Sequence, residues 1–250
     1  MYNLGAALIF FTRLPFWRIF NVPKEYFKQV INYWSVVGWL TASVTAGTLW
    51  IGTQFLPFQI AVVLSLAARL LVTGGLHEDG LADFFDGFGA GGDKSKILAI
   101  MKDSHIGTYG VLGLIFYFLL LFLLLSNLPL YIACLVILAG DPLCKFISSL
   151  ITFRLAYARN EETSKSGTVY QRMVFSTFLV AAFFGLIPFF ILLPYPYWGA
   201  VIFPILVFFL LTYLMKKKIQ GYTGDCCGAL FLLTELSFYL GCVIVVNNFI

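Results

Sequence analysis

Apolar and charged positions in this chain are separated into long blocks instead of alternating at helix or strand period. The charges fall into four groups, Arg13 to Lys28, Arg69 to Asp103, Asp141 to Arg172 and Lys216 to Glu235. Between them lie the runs 29–68, 104–140 and 173–215, with no Asp, Glu, Lys or Arg at all. Each run is about 40 residues long, enough for two membrane-crossing helices of roughly 20 residues and a tight turn. Proline and polar residues place the turns at Pro57, at Asn127 to Pro129 and at Pro194 to Pro196. The turns are uncharged, so every charged block is expected on one side of the membrane. The excess of Lys and Arg near helix ends marks that side as cytoplasmic. A last apolar stretch, 227–249, crosses once more, with Glu235 inside it.

The pattern predicts an all-α, polytopic membrane helical bundle of about seven transmembrane helices, with the amino terminus inside, the carboxyl terminus outside and cytoplasmic loops that build the active site. Residues 1–250 read as a single integral membrane domain. The first fifteen residues are too short to span and predict an N-terminal interfacial helix, without the pattern of a signal peptide. Composition agrees: 60% of residues are hydrophobic, 11% are charged and the mean hydropathy is +0.92, which excludes an ordinary soluble domain. The expected surroundings are a lipid bilayer, and no nucleic-acid partner is expected. Trp17 and Trp34 are expected as anchors at the inner headgroup level, and Trp50, Tyr195, Tyr197 and Trp198 at the outer. Gly38, Ala42 and Ala46 line one helix face and permit close packing within the chain or in a homo-oligomer. The five cysteines have no framework spacing and read as reduced packing residues.

Chemistry concentrates in Gly74 to Gly87, GGLHEDGLADFFDG, with one His and four carboxylates in fourteen residues. On a helix Asp79, Asp83 and Asp86 stand at i, i+4 and i+7 and form one stripe. Acids this close repel unless a cation shares the site. Hard oxygen donors without a nearby cysteine favour Mg2+, with Mn2+ as the alternative. His77 is placed to act as acid or base, as a phosphate contact or as a cap. A second constellation, Met101 to Gly110, offers Lys102, Asp103, Ser104, His105 and Thr108 at the start of a span. There Ser104 or Thr108 caps the helix, and either an anionic group takes its amides or Asp103 and Ser104 occupy them. A third, Gly221 to Glu235, places Thr223 and Asp225 among glycines that admit close approach.

Together these segments resemble the bacterial cobalamin synthases, the adenosylcobinamide-GDP ribazoletransferases, nearly end to end. The resemblance rests on Phe11-Thr12-Arg13-Leu14-Pro15, the GGLHEDGLADFFDG segment, Met101 to Ser104 with Gly107 and Gly110, and Thr223-Gly224-Asp225 with Gly228, Ala229 and Glu235. The chain departs from the family pattern at Gln220, where a glycine is usual, at Leu232, often an acid or amide, and at Lys145, often Arg. Glu78 occupies a variable position, and Asp141 has no counterpart. The segment with Arg154, Tyr157, Arg159 and Gly167 resembles the family's basic loop loosely.

The resemblance implies transfer of the adenosylcobinamide phosphate moiety from adenosylcobinamide-GDP to alpha-ribazole or alpha-ribazole 5'-phosphate, releasing GMP, at the cytoplasmic (inner) cell membrane with Mg2+ as cofactor. Asp79, Asp83, Asp86 and Asp225 are then the candidate metal ligands, and His77, Asp83 and Asp103 the candidate catalytic groups. Lys102, Ser104, Thr108, Arg154, Arg159 and Thr223 are the candidate substrate and phosphate contacts. A CDP-alcohol-type phosphotransferase shares this chemistry, but its Asp-Gly followed by Ala-Arg is absent. A cation- or proton-coupled transporter would use the acids as an ion path near the bilayer midplane.

Overall fold

A computed structural model describes residues 2–159 and 169–249; Gly167 lies outside them. Short helix α1 (Tyr2–Phe11) packs its Ala6 and Ala7 face on the 3-10 segment Lys24–Tyr33, which runs on into α2 (Trp34–Gly52). Then follow α3 (Phe58–Thr73), α4 (Leu76–Ala90), α5 (Lys94–Ile100), α6 (Thr108–Ser126), α7 (Leu130–Ser149), the single turn α8 (Ile151–Arg154), α9 (Phe175–Leu192), α10 (Ile202–Ile219) and α11 (Gly224–Phe249). Among the described residues six helical segments are long and apolar enough to span a membrane, and a seventh crossing results if α3 and α4 count together. The turns fall at the prolines and polar residues that predicted them: Pro57, Pro129 and Pro194 immediately precede the next helical segment.

The second predicted span is not one straight helix. It breaks between α3 and α4, whose axes differ by 92°. The break is made by Gly74 (φ 69°) and Gly75 (φ 68°), two successive left-handed residues that a side chain would strain. Arg13 lies across Gly74 where a Cβ would stand, and its amide donates to the Val72 carbonyl (2.7 Å). The acid segment is therefore a helix packed against α6 and α11, as the spacing of its acids supposes, while Tyr157, Arg159 and Thr223 of the same cavity lie in connecting segments.

Two helices form the centre. Of the apolar windows, 72% of that in α7 and 61% of that in α11 is buried, against 22% for α6, so α6 chiefly faces lipid. Their burial depends on small residues. A Cβ on Gly38 would lie 2.8 Å from the Pro142 Cα, and one on Gly140 would meet the Phe238 ring. Gly38, Ala42 and Ala46 are thus spent on packing within the chain.

The two cations inside this centre, Arg69 and Lys145, each have a buried carboxylate partner, as burial in lipid demands. Arg69 Nη1 donates to both Glu235 oxygens (2.9 and 2.7 Å) and its Nη2 to the Tyr117 hydroxyl (2.9 Å), while Tyr239 donates to Glu235 (3.0 Å). Glu78 adds a longer contact to Arg69 (3.6 Å). Lys145 pairs with Asp141 (2.6 Å), and Thr41 bridges the two. Asp141, without counterpart in the sequence comparison above, is accounted for by this pair one helical turn away. Lys145, 1% exposed, is out of reach of any substrate phosphate. The expected anchors divide: Trp17, Trp50, Tyr195 and Trp198 are exposed, but Trp34 and Tyr197 are each 1% exposed and belong to the core. All five cysteines are free and buried.

Candidate active site

Two glycines determine where α4 meets α11. A Cβ on Gly80 would lie 3.0 Å from the Asp225 Cα, and one on Gly228 would lie 3.0 Å from the His77 carbonyl oxygen. Each helix thus presents a glycine to a candidate residue of the other, Gly80 to Asp225 and Gly228 to His77, and the backbones come close beside Asp79 and Asp225. Ahead of α11, Tyr222 bridges to the 156–158 segment through Tyr222 N to Ala156 O (3.0 Å) and Ala158 N to Tyr222 O (2.8 Å), which brings Tyr157 and Arg159 to the same place. A Cβ on Gly221 would meet the Ala156 carbonyl. Thr223 caps α11: its hydroxyl accepts from Cys226 N and approaches Asp225 (both 3.3 Å).

The convergence leaves a cavity of ≈ 260 Å3 lined by His77, Asp79, Arg159, Thr223 and Asp225, together with aromatic residues of α1 and α2, Tyr157 and Tyr170. Asp79 is exposed, and Asp83 and Asp225 are half-buried. His77 is 2% exposed, its ring set among Phe11 (5.9 Å), Trp34 (5.3 Å) and Phe231 (5.2 Å), and its Nε2 is buried without a hydrogen-bond partner. Arg159 donates to the Leu98 carbonyl (2.8 Å), tying the 157–159 segment to α5. Tyr170 also lines the cavity, and burial pushes its phenol well above the ordinary tyrosine range, so it remains a neutral donor.

The other candidates stand elsewhere. Asp86 accepts from Gly107 N (2.7 Å) and Gly110 N (2.8 Å) and so caps α6; a Cβ on either glycine would collide with its carboxylate. The anion at this helix start is thus the protein's own, and neither Ser104 nor Thr108 is the cap. Asp103 accepts from His105 N (3.0 Å) and meets the His105 ring (2.7 Å). The His105 amide first, and then its ring, hold the exposed Asp103 carboxyl below its usual range. Lys102, Asp103, Ser104 and Thr108 are exposed and do not line the cavity. Arg154 lies over the Phe209 ring (4.7 Å), also outside it. What the residue reading overlooked is aromatic: Phe10, Phe11, Trp34 and Tyr170. Phe11 belongs to the early motif, whereas Trp34 has the position of an interfacial anchor and shows its role only in three dimensions.

Among the described residues no three His, Cys, Asp or Glu side chains come together as a metal-binding group. The stripe Asp79, Asp83, Asp86 is not a preformed cage, because Asp86 is turned to α6. Two carboxylates from different helices beside one cavity still suit Mg2+, which usually takes one or two carboxylates, keeps waters and shares substrate phosphates.

The profile of the family described as cobalamin-5-phosphate synthase matches residues 3–243. Proteins named adenosylcobinamide-GDP ribazoletransferase are similar over nearly their whole length. That of Leptospira interrogans is 35% identical, covering 97% of this chain and 95% of the relative. That of Shewanella woodyi is 36% identical over 94% and 92%, and that of Shewanella baltica (strain OS185) 33% over 97% and 94%. No solved structure matches. The motifs that line the cavity and shape the α4–α11 contact lie within the matched span, and the chain belongs to the cobalamin-5-phosphate synthase family.

Proposed function

We propose that this chain transfers the adenosylcobinamide phosphate moiety of adenosylcobinamide-GDP to alpha-ribazole or its 5'-phosphate, with release of GMP, in a magnesium-dependent reaction at the α4–α11 cavity. The observation that carries the reading is that Asp79 and Asp225, from separate helices, share one cavity with His77, Thr223 and Arg159. A ribose hydroxyl of the acceptor attacks the cobinamide-linked phosphorus, and the bond to GMP breaks. Magnesium, when bound, neutralises charge on the transferred phosphoryl and on the departing GMP.

Asp79 and Asp225 are the residues to hold it, with Asp83 one turn along α4. Arg159 is always charged and binds a phosphate oxygen. His77 is the candidate to take the hydroxyl proton: it lines the cavity, and a neutral imidazole is the proton acceptor such a step needs. Thr223 orients Asp225 by the hydrogen bond it donates to that carboxylate. The charged blocks around the cavity belong on the cytoplasmic side of the inner membrane by the positive-inside rule.

The test is turnover by purified protein in liposomes supplied with adenosylcobinamide-GDP, alpha-ribazole and magnesium. GMP and cobalamin form together, and neither forms after chelation or with Asp79→Asn. Folded protein that releases no GMP with both substrates and metal present would refute the transferase reading.

A further inference from the structure

The cavity's lining is of two kinds. Five aromatic rings follow one another in contact: Tyr157 to Tyr170 (5.8 Å), Tyr170 to Phe10 (6.3 Å), Phe10 to Phe11 (5.0 Å) and Phe11 to Trp34 (5.2 Å, nearly parallel). All five residues line the cavity. The remainder of the lining carries His77, Asp79, Arg159 and Asp225. Two of the lining side chains, Trp34 and His77, keep a ring nitrogen that is buried and without a hydrogen-bond partner. Buried donors are almost always satisfied in native proteins, and an indole N–H can only donate. An acceptor atom supplied from outside the chain would complete it once the rings that cover the indole N–H part to admit a planar group.

Size and charge narrow the occupant. At ≈ 260 Å3 the cavity is slightly smaller than the pockets of roughly 300–1,000 Å3 that hold drug-sized ligands, so it takes one nucleoside-sized unit and not a corrin macrocycle. The five rings carry no charge, which suits an uncharged heterocycle against them and leaves Arg159, Asp79 and Asp225 for the pyrophosphate and its metal. Aromatic rings in series are a stacking platform for a planar base.

Resting on the transferase reading, we propose that the cavity is the acceptor subsite. It holds the aromatic base of the nucleoside along the Tyr157–Trp34 ring series, with a base heteroatom accepting from Trp34 Nε1 and the ribose toward His77 and Asp225. The corrinoid donor binds outside it and reaches the cavity only with its pyrophosphate. The acceptor therefore binds without donor or metal.

The experiment is equilibrium binding of alpha-ribazole to the wild-type protein in nanodiscs, read by tryptophan fluorescence, with steady-state kinetics of Trp34→Phe, which keeps the ring and removes the N–H. Expected are saturable binding without donor that excess adenosylcobinamide-GDP does not displace, and a KM for ribazole raised about fivefold by the lost hydrogen bond, with the donor KM changed by less than about twofold. Displacement of ribazole by the donor, a rise in the donor KM or an unchanged ribazole KM each overturns the assignment while leaving the transferase reading intact. The competition arm needs no variant and decides the matter even if Trp34→Phe does not fold. Absence of transfer by the wild-type protein would instead remove the reading on which the subsite rests.

Discussion

The bundle centre and the cavity draw on the same side chains and treat them oppositely. In the centre, Arg69 with Glu235 and Lys145 with Asp141 are closed pairs, further satisfied by Tyr117, Tyr239 and Thr41. At the cavity, Asp79 is exposed, Asp225 is half-buried and the His77 ring ends in an unpartnered nitrogen. Charges already matched inside lipid serve architecture, because they have no remaining capacity for a ligand. Side chains that line a cavity remain within reach of a ligand, whereas those closed up inside the bundle do not. The contrast assigns Asp141, Lys145 and Glu235 to the architecture of the bundle and leaves Asp79, Asp225 and His77 beside the cavity.

The most severe way to break the comparison is Arg69→Ala. It leaves Glu235 buried and uncompensated, so the protein should lose about 3–5 kcal/mol, read as a lowered denaturation midpoint in detergent. Asp79→Asn should do the opposite. Its unfolding midpoint stays at the wild-type value while turnover falls at least about 100-fold, equivalent to about 2.7 kcal/mol of transition-state stabilisation. Wild-type turnover, or unfolding of this variant, would erase the distinction between the two regions.

Asp86 tests the boundary between them, since it lies in the acid motif yet caps α6. Asp86→Ala should cost about 2 kcal/mol by orphaning the Gly107 and Gly110 amides, with partial recovery in Asp86→Asn. A turnover defect in Asp86→Asn with unchanged stability would return the residue to the metal site. Smaller still, Gln220→Gly should raise the unfolding free energy by up to about 1 kcal/mol, because Gln220 (φ 57°) is the one non-glycine in the left-handed region among the described residues.

The smallest effect belongs to Asp103. Its carboxyl is held below the usual range, so the bonds it accepts are fully present above the ordinary carboxylate pKa and are lost as pH falls through the depressed one. The protection of the His105 amide against hydrogen exchange, relative to its intrinsic rate at each pH, should therefore fall only at acid pH, with no change in the midpoint of global unfolding.

Helix number and turn positions were legible in the sequence because a bilayer imposes length and excludes charge, constraints that act on local stretches of chain. The candidacy of Asp79 and Asp225 was legible for the same reason: few acids are tolerated so close to a span without a function, and the structure puts both beside one cavity. The α3–α4 break was signalled by Gly74-Gly75 but not its angle, which depends on Arg13 lying across the bend. Other assignments came only from the tertiary structure. A helical stripe cannot tell that Asp86 turns to amides 21 and 24 residues away, that Trp34 leaves the lipid interface for the cavity, or that Lys145 is consumed by Asp141. Periodicity reports which face a side chain shares along its own helix. Its partner is decided by which helices touch, and here the reciprocal contacts of Gly80 and Gly228 set that for α4 and α11.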